Sequence, residues 1–355
     1  MRTEHILIIR FSALGDVAMT VPIVDSLARQ YPDVRITMLS SPYARPFFER
    51  MPQNVGFMEA DLKNEYYGVK GMNALYRRLT AKNFTAIADL HSVLRSDYLR
   101  MRFNIDRFRV EHVDKHRAMR RQLVSQTDKR LSPLPSTYEC YADVFARLGY
   151  PVKLDFRSMF PPEGGDLSLL PDGFNRPKAD GEVWLGVAPM AAYPDKTYPL
   201  PLMEEALRLL TERHPGCRLF LFGGGDAETA VLNDLCGKFD RCVNASARLG
   251  GIGGELVLMS HLDAMVSMDG ANMHMASIVG TPVVSVWGAT HPAAGFLGWG
   301  QRLEDVVQAD MPCRPCSISG KKACLRGDRL CMKSIPPGEI AARVEIVLRR
   351  GRSGK

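Results

Sequence analysis

The sequence lacks the segments by which a polypeptide spans or is exported through a membrane. Its longest apolar runs, such as VVSVW at 283–287, fall far short of the roughly 18 residues of a spanning helix. The opening HILIIRF is too short for the apolar core of a signal peptide and contains Arg10. We therefore expect a cytoplasmic protein, in which the eight cysteines are reduced.

Several ligand-binding motifs are also missing. No Asp-x-Asp occurs, so the carboxylate pair that often holds Mg²⁺ or Mn²⁺ on a diphosphate is absent. The first strand–helix turn lacks Gly-x-Gly-x-x-Gly, which argues against a dinucleotide-dependent oxidoreductase. The Gly-rich turn at 222–228 lacks the Gly-Lys-Ser/Thr ending of a P-loop. A diphosphate bound by this chain would depend on protein cations and backbone amides.

Strands and helices alternate along the sequence. The 355 residues are 46% hydrophobic and 24% charged, which is typical of a globular protein with two domains. The predicted strands are His5–Phe11, Arg35–Ser41, Val55–Asp61, Thr85–Leu90, Arg107–His112, Val183–Pro189, Arg218–Phe222, Cys242–Ala245, Ala264–Met268 and Val283–Trp287. The predicted helices cover about 17–30, 69–81, 93–103, 136–148, 200–213, 226–238, 254–260, 271–279 and 337–349.

This alternation predicts an α/β protein with parallel sheets covered on both faces. Residues 161–182 are rich in Pro, Gly and Asp and predict a linker. We expect two doubly wound, Rossmann-like domains, 1–160 and 183–335, that face a central cleft. Residues 336–355 predict a helix and basic tail that return to the first domain.

Positive charge is concentrated in one stretch of the chain. The formal net charge is +7, and residues 95–130 contain eleven Lys or Arg against five Asp or Glu. Such a stretch indicates either an anionic partner or a solvated helical face.

Charged and small residues follow several predicted strands, where open α/β sheets bind ligands. Asp16 suits a general base or a helix N-cap, and Lys196 suits a phosphate contact or an ordinary loop lysine. Two further turns combine small residues with groups that can bind a ribose or a diphosphate. They contain Gly223, Gly224 and Glu228 in the first turn and Asp269, Gly270, Ala271 and His274 in the second.

Four cysteines form a Cys-x2-Cys-x7-Cys-x6-Cys segment, at Cys313, Cys316, Cys324 and Cys331. In a cytosolic protein this pattern favours a structural zinc site over disulfides, although the second spacing is wider than that of a zinc ribbon.

Taken together, these motifs resemble glycosyltransferase family 9, the ADP-heptose:lipopolysaccharide heptosyltransferases. The resemblance is carried by Arg-x-Ser-Ala-Leu-Gly-Asp-Val at 10–17, Asp-Leu-His-Ser-Val-Leu-Arg-Ser at 89–96, the loop 193–199, Phe-Gly-Gly-Gly-Asp-x-Glu at 222–228, Asp-Gly-Ala-Asn-Met-His at 269–274 and Gly-Thr-Pro-Val-Val-Ser-Val-Trp-Gly-Ala-Thr-His-Pro at 280–292.

The resemblance implies a GT-B fold and an inverting, metal-independent sugar transfer that needs no cofactor. Asp16 would be the general base, Lys196 would neutralise the diphosphate, and Glu228 would bind the ribose. The remaining donor-site residues, Gly223, Gly224, Asp269, Gly270, Ala271 and His274, would surround the phosphates and the sugar.

The resemblance also implies partners. The donor would be ADP-heptose, and the acceptor an anionic lipopolysaccharide core, with peripheral contact with the inner membrane and no binding of nucleic acid. The acceptor-binding residues would be Arg95, Lys115, Arg117, Arg120 and Arg121.

Some positions depart from the family pattern. Ala191 and Ala192 stand where paired hydroxyl residues are common, and Gly270 stands where Thr or Ser is common. Two alternatives therefore remain. The enzyme could use a different nucleotide sugar as donor, or it could be a nucleotide-sugar epimerase of the same fold. From another class, the basic stretch and the cysteines leave open a nucleic-acid-binding module with a zinc site.

Overall fold

The structure is a computed structural model that describes residues 4–353, with the backbone alone for 352–353. Residues 1–3 and 354–355, which belong to the expected first domain and tail, lie outside the described residues. The chain forms two compact units. The first extends to Lys115 and adds Pro135–Arg157, and the second comprises His116–Leu134 and the chain from Ser158 onward.

The elements follow one another largely as the sequence predicts. The strands are β1 His5–Ile9, β2 Arg35–Ser40, β3 Val55–Glu59, β4 Ala86–Asp89, β5 Arg109–His112, β6 Trp184–Ala188, β7 Arg218–Leu221, β8 Cys242–Asn244, β9 Ala264–Met268, β10 Val283–Trp287 and β11 Val306–Gln308. The helices are α1 Leu14–Ala18, α2 Val21–Gln30, α3 Gly68–Thr80, α4 Leu94–Ile105, α5 Arg117–Leu123, α6 Thr137–Arg147, α7 Leu200–Arg213, α8 Asp226–Cys236, α9 Ile252–Met259, α10 Ala271–Ile278, α11 Leu330–Lys333 and α12 Pro337–Ser353.

The first unit contains a parallel five-stranded sheet in the order β3-β2-β1-β4-β5. All residues of β1 and β4 are buried, because helices cover both faces of a doubly wound sheet. Leu7, Ile9 and Ile87 of these strands pack with Leu75 of α3 and Phe103 of α4. Since all strands are parallel, the loops after β1, β4 and β5 emerge at one edge of the sheet.

The second unit contains a parallel six-stranded sheet in the order β11-β10-β9-β6-β7-β8. Its central strands β6, β9 and β10 are completely buried. Lys196, Glu228 and Asp269 lie shortly after β6, β7 and β9, which are neighbours in the sheet. The predicted fold class, two Rossmann-like parallel-sheet domains of the GT-B type, is confirmed.

The C-terminal helix differs from the prediction. Instead of returning to the first domain, α12 packs within the second unit against α7, β9, β10 and β11. Its apolar face is buried in the core of that unit, including Ile340, Val344 and Val347. Moving α12 away from the second sheet would break these contacts and expose its apolar face to water, which is unfavourable.

Three local features were missed. The predicted helix 17–30 is two helices, since α1 ends at Ala18 and α2 begins at Val21, after its N-cap Thr20. The segment 116–134 carries α5 and joins the second unit, and β11 adds a sixth strand. Over residues 4–353, no helix combines the length and apolar character needed to span a membrane.

Candidate active site

Asp16 lies at the carboxyl end of β1, in the short helix α1. Asp16 is not the N-cap of α1, a position held by Ala13, but the third residue of the helix, and its Oδ2 accepts a hydrogen bond from the backbone N–H of Ala13 at 3.3 Å. The side chain nevertheless stays 32% exposed. The local structure therefore fixes this carboxylate and leaves it accessible to a substrate.

Arg10 is the cation beside Asp16. Its guanidinium lies 2.7 Å from Asp16 Oδ2 and donates a second hydrogen bond to the carbonyl of Leu90 at 2.7 Å. Burial alone would lower the pKa of Arg10, but the nearby Tyr141 and Asp16 more than offset it and raise the pKa. The buried, permanently charged Arg10 favours the ionised form of Asp16.

The turn after β4 lies beside this pair. Buried Asp89 accepts hydrogen bonds from the backbone N–H groups of His91 and Ser92, both at 2.9 Å, and Arg100 lies 3.3 Å from its other oxygen. This turn holds His91 in a buried position against Phe11, with the ring centroids 5.9 Å apart.

His91 is neutral at physiological pH. Burial, with the charges of Arg10 and Lys115, lowers its pKa to about 3. The buried Nδ1 of the ring has no hydrogen-bond partner within residues 4–353. A neutral imidazole here can donate or accept a hydrogen bond without adding charge beside Asp16.

The expected acceptor-binding residues separate into two groups. Arg95 is exposed near His91, and Lys115 donates a hydrogen bond to the carbonyl of Ser92 at 2.8 Å, so both lie in the first unit with Asp16. The other three expected residues, Arg117, Arg120 and Arg121, are on α5 and belong to the second unit. There the guanidinium of Arg120 stacks on the ring of Phe296 at 5.1 Å.

In the second unit, Lys196 and Asp269 come together. Lys196 Nζ lies 2.8 Å from Asp269 Oδ2, and the Thr290 hydroxyl donates to the same oxygen at 2.7 Å. Only 12% of the Lys196 side chain and 9% of the Asp269 side chain are exposed. These three residues follow β6, β9 and β10, which explains how positions far apart in sequence meet at one sheet edge.

Glu228 is held by the Gly-rich turn. Its Oε2 accepts a hydrogen bond from the backbone N–H of Gly224 at 2.8 Å, and a Cβ at Gly223 would lie 2.9 Å from the same oxygen. Gly225, with φ of +80°, is the residue whose backbone requires glycine. The turn thus positions a half-buried carboxylate at the carboxyl end of β7.

The turn after β9 provides a helix N-terminus. Gly270 is the N-cap and Ala271 the first residue of α10, with His274 buried in its first turn. Gly270 has extended backbone, and a Cβ would contact only the Met268 carbonyl oxygen at 3.7 Å. Its backbone does not require glycine, so the missing hydroxyl is not imposed by the fold.

The sequence model of glycosyltransferase family 9 (heptosyltransferase) matches residues 72–324. The chain belongs to this family. It is similar to lipopolysaccharide heptosyltransferase 1 of Pseudomonas aeruginosa, at 24% identity over 97% of this chain and 98% of that protein.

Solved structures of the family share the fold. Heptosyltransferase WaaC of Escherichia coli, solved with ADP, superimposes with a TM-score of 0.67 at 17% identity, over 97% of this chain and 99% of that one. A family 9 glycosyltransferase of Veillonella parvula gives 0.71 at 16% identity, over 99% and 98%. The predicted family is confirmed, and the protein is a glycosyltransferase.

The cysteine segment of this glycosyltransferase lies against the loops that follow β6 and β10. Arg329 lies 2.6 Å from Asp195, the residue before Lys196. The buried Arg314 donates hydrogen bonds to the carbonyls of Gly288 at 2.5 Å and Thr290 at 3.0 Å. The segment therefore supports the residues that hold the Lys196–Asp269 pair.

The predicted zinc site is not shown. Cys313, Cys316, Cys324 and Cys331 line one small cavity together with Arg314. Burial raises the pKa of Cys331 to about 11 and also raises that of Cys316, which favours the protonated thiols. Within residues 4–353, no three His, Cys, Asp or Glu side chains are grouped as a metal site requires.

Three side chains of the site were not singled out from the sequence. Arg10, His91 and Thr290 each lie inside a stretch that carries the family resemblance, at 10–17, 89–96 and 280–292. For His91 and Thr290 the available signal was their position just after a predicted strand, whereas Arg10 fell inside the predicted strand His5–Phe11 and follows β1 only in the structure. The contacts of these side chains depend on which strands are neighbours in the sheet. The sequence alone does not give that order.

Proposed function

We propose that this glycosyltransferase is an inverting, metal-independent heptosyltransferase that moves a heptose from ADP-heptose to an anionic lipopolysaccharide core. The observation that carries the proposal is the Arg10–Asp16 pair, which presents one oriented carboxylate at the carboxyl end of β1. The names of the relatives, a lipopolysaccharide heptosyltransferase and an ADP-bound heptosyltransferase, support the choice of acceptor and donor.

The reaction needs one base. Asp16 accepts the proton of the acceptor hydroxyl while that oxygen forms a bond to the anomeric carbon of the donor. The bond from this carbon to the diphosphate oxygen breaks, and ADP leaves with the electron pair. Attack from the face opposite the leaving group inverts the configuration, so no second carboxylate is needed to carry the sugar.

Charge on the leaving ADP is balanced by groups of the second unit. Lys196 supplies a cation, and the N-terminus of α10 supplies backbone N–H groups for the phosphates. Asp269 and Thr290 orient Lys196, and Glu228 is placed to accept hydrogen bonds from the ribose. This arrangement stabilises negative charge that develops as the bond breaks.

The acceptor is proposed to contact Arg95 and Lys115 near the base, with His91 as a neutral hydrogen-bonding group between them and Asp16. The cations of α5, Arg117 and Arg121, are exposed and complete the proposed set together with Arg120. Their charge suits the phosphate and carboxylate groups of a lipopolysaccharide core.

Thermal shift against ADP, UDP, GDP, dTDP and NAD, with and without EDTA, tests the donor. Stabilisation by ADP that EDTA leaves unchanged is expected. A preference for UDP would favour the epimerase or a different donor sugar, and ADP stabilisation that EDTA abolishes would contradict metal-independent binding. Transfer is then measured with ADP-heptose and a lipopolysaccharide core acceptor.

Structural zinc at the four cysteines stays a prediction. If it is correct, purified protein contains about one equivalent of zinc by elemental analysis, and removing that zinc lowers the unfolding temperature measured without nucleotide. Protein that is free of metal and still binds ADP would contradict it.

A further inference from the structure

Two cysteines outside the segment 313–331 lie in contact with each other. Cys236 is the last residue of α8, and Cys242 is the first residue of β8. Their Sγ atoms are 3.0 Å apart, so one thiol can donate a hydrogen bond to the other. Both thiols are free, and both residues are partly exposed. The fold therefore brings two accessible thiols together at the edge strand of the second sheet.

Hydrogen bonds around the pair hold the two elements in place. Asn244 of β8 donates from Nδ2 to Oδ1 of Asn233 on α8 at 2.8 Å, which joins the strand to the helix. The backbone N–H of Phe239 donates to the carbonyl of Cys236 at 3.1 Å, so the turn that follows the helix is also closed. The short connection 237–241 thus returns the chain to β8 with the two sulfurs already in contact.

The two thiols are not equivalent. The hydrogen bond with Cys242 lowers the pKa of Cys236, whereas the same contact, together with burial, raises the pKa of Cys242. In this arrangement Cys242 keeps its proton and donates it to a thiolate at Cys236. Because the thiolate is the nucleophile in thiol–disulfide exchange, Cys236 is the more reactive of the two.

Two other cysteines show what a structural thiol looks like in this protein. Cys217 lies near Cys242 but is only 2% exposed, and burial raises its pKa to about 12. Cys140 of the first unit is also buried, and its thiol faces the carbonyl of Pro135 at 4.0 Å. Buried, protonated thiols of this kind are inert. Cys236 and Cys242 differ from them in combining mutual contact with exposure.

We propose that Cys236 and Cys242 are a reversible modification site, which a small-molecule disulfide such as oxidised glutathione converts to an internal disulfide. The bond links the end of α8 to the start of β8, where the chain already makes a close contact. Since α8 begins at the Gly-rich turn that carries Glu228, the modification lies at the opposite end of that helix. The proposal does not depend on the identity of the donor or the acceptor.

The oxidation proceeds in two exchanges. The thiolate of Cys236 forms a bond to one sulfur of oxidised glutathione, whose S–S bond breaks, and one glutathione leaves with the electron pair. Cys242 then loses its proton to water, its sulfur attacks Sγ of Cys236, and the second glutathione leaves. The two protein thiols lose two electrons, and the oxidant becomes two molecules of reduced glutathione that carry the two protons. Excess reduced glutathione drives the same steps backwards.

Peptide mapping of the reduced, full-length protein tests the proposal. The protein is incubated with oxidised glutathione, alkylated with iodoacetamide and digested with trypsin. Trypsin cleaves after Lys238 and Arg241, so the disulfide appears as a cross-link between peptides 219–238 and 242–248, while Cys217 lies in peptide 214–218. We expect this cross-link to form at least about tenfold faster than any adduct on Cys217, and reduced glutathione to reverse it.

Serine variants separate the two steps. In Cys242→Ser the hydroxyl can still donate to the thiolate of Cys236, but the second sulfur is missing, so the reaction should stop at a mixed disulfide on Cys236. In Cys236→Ser the remaining Cys242 should react at least about tenfold more slowly, because burial disfavours its thiolate. Cys140→Ser and Cys217→Ser are the matched controls and should form the cross-link at the rate of the wild type. Circular dichroism checks that all variants are folded.

Several results would overturn the proposal, and the first two need only the wild type. One is the absence of a cross-link between peptides 219–238 and 242–248, or a cross-link that reduced glutathione does not reverse. Another is a cross-link between peptides 214–218 and 242–248, because Cys217 would then be the partner of Cys242. The third is equally fast modification of Cys242 in Cys236→Ser and of Cys236 in Cys242→Ser, which would contradict Cys236 as the attacking sulfur.

Discussion

Each unit places a carboxylate–cation pair at the carboxyl edge of its sheet, but the two pairs differ in which partner is buried. In the first unit the cation Arg10 is 9% exposed, while the Asp16 side chain is 32% exposed. In the second unit both Lys196 and Asp269 are nearly buried, and a Thr290 hydroxyl also contacts the carboxylate.

The difference favours different proposed roles for the two carboxylates. An accessible carboxylate oriented by a buried cation can reach the proton of a substrate hydroxyl. A buried carboxylate that is already paired and hydrogen-bonded instead fixes the position of its cation. The difference therefore supports the proposal that Asp16 is the base and that Asp269 positions Lys196 for the diphosphate.

The largest expected effect is that of Asp16→Asn. The amide keeps the size of the side chain and its capping contact but cannot accept the proton, so kcat should fall by about 10³. Because the base acts on the acceptor, the Kd for ADP should change less than about twofold, as measured by calorimetry. Equal losses in kcat and ADP affinity would show that Asp16 is not the base.

Asp143→Asn is the matched control for this substitution. Asp143 is also paired with an arginine, Arg147, at 2.9 Å, but it lies on α6 and is well exposed. Its amide variant should retain the kcat of the wild type. A comparable fall in the control would mean that the assay reports general damage to the first unit.

The second pair is tested by a double-mutant cycle of Lys196→Ala and Asp269→Asn. Lys196→Ala should reduce kcat/KM by about 100-fold, because charge on the leaving diphosphate loses its cation. Since Asp269 acts through Lys196, the double variant should be little worse than Lys196→Ala alone, with a coupling energy of about 1–3 kcal/mol. Additive losses would instead give Asp269 an independent role.

Removing one partner of a buried pair also destabilises a protein, by about 3–5 kcal/mol when burial is complete. Thermal unfolding of each variant therefore accompanies the cycle. Lys333→Ala removes an exposed lysine from the same unit and should leave both ADP affinity and unfolding temperature unchanged.

A smaller effect is expected at Arg10. Arg10→Met removes the cation that favours the ionised form of Asp16, so the acid limb of the pH profile of kcat/KM should move to higher pH. At neutral pH kcat should fall by about tenfold. Arg10→Lys keeps the charge and should restore most of the pH profile. If the pH profile of kcat/KM is the same in Arg10→Met as in the wild type, Arg10 does not act through Asp16.

The fold was accessible from the sequence because buried parallel strands are encoded locally. Runs such as HILII and VVSVW are apolar and β-branched, and each is bounded by turn residues. The same local reasoning placed Asp16, Lys196 and Asp269 after strands. What it did not supply is contact across the sheet, and the 2.8 Å pair of Lys196 with Asp269 depends on β6 lying beside β9.

The errors follow from the same limit. The apolar face of α12 has the same period whichever domain it covers, so its sequence does not reveal that it packs on the second unit. Similarly, the basic stretch 95–130 is continuous in the sequence, but the chain passes into the second unit at His116. Lys115 and the cations of α5 therefore belong to different units.

The smallest expected effect concerns the stability of the first unit and is carried by His91. The pKa of this ring is about 3 in the folded protein, against an ordinary value of 6.5 in an unfolded chain. Between these values the unfolded state binds more protons, so the free energy of unfolding falls as the pH is lowered from 6.5 towards 3. The expected slope is about 1 kcal/mol per pH unit below pH 6.

The groups around His91 explain why its pKa is lowered and hence why the free energy of unfolding falls at low pH. Burial and the cations Arg10, Lys115 and Arg95 oppose protonation of the ring, and the carboxylate of Asp16 compensates only in part. Urea unfolding at pH 7, 6 and 5 measures the effect. His91→Asn should flatten the dependence on pH, whereas His112→Gln, which changes an exposed histidine of the same unit, should retain it. A wild-type stability that is constant from pH 7 to pH 5 would mean that the pKa of His91 in the folded protein is close to its ordinary value, so the fold would not hold this ring neutral beside the base at pH 5.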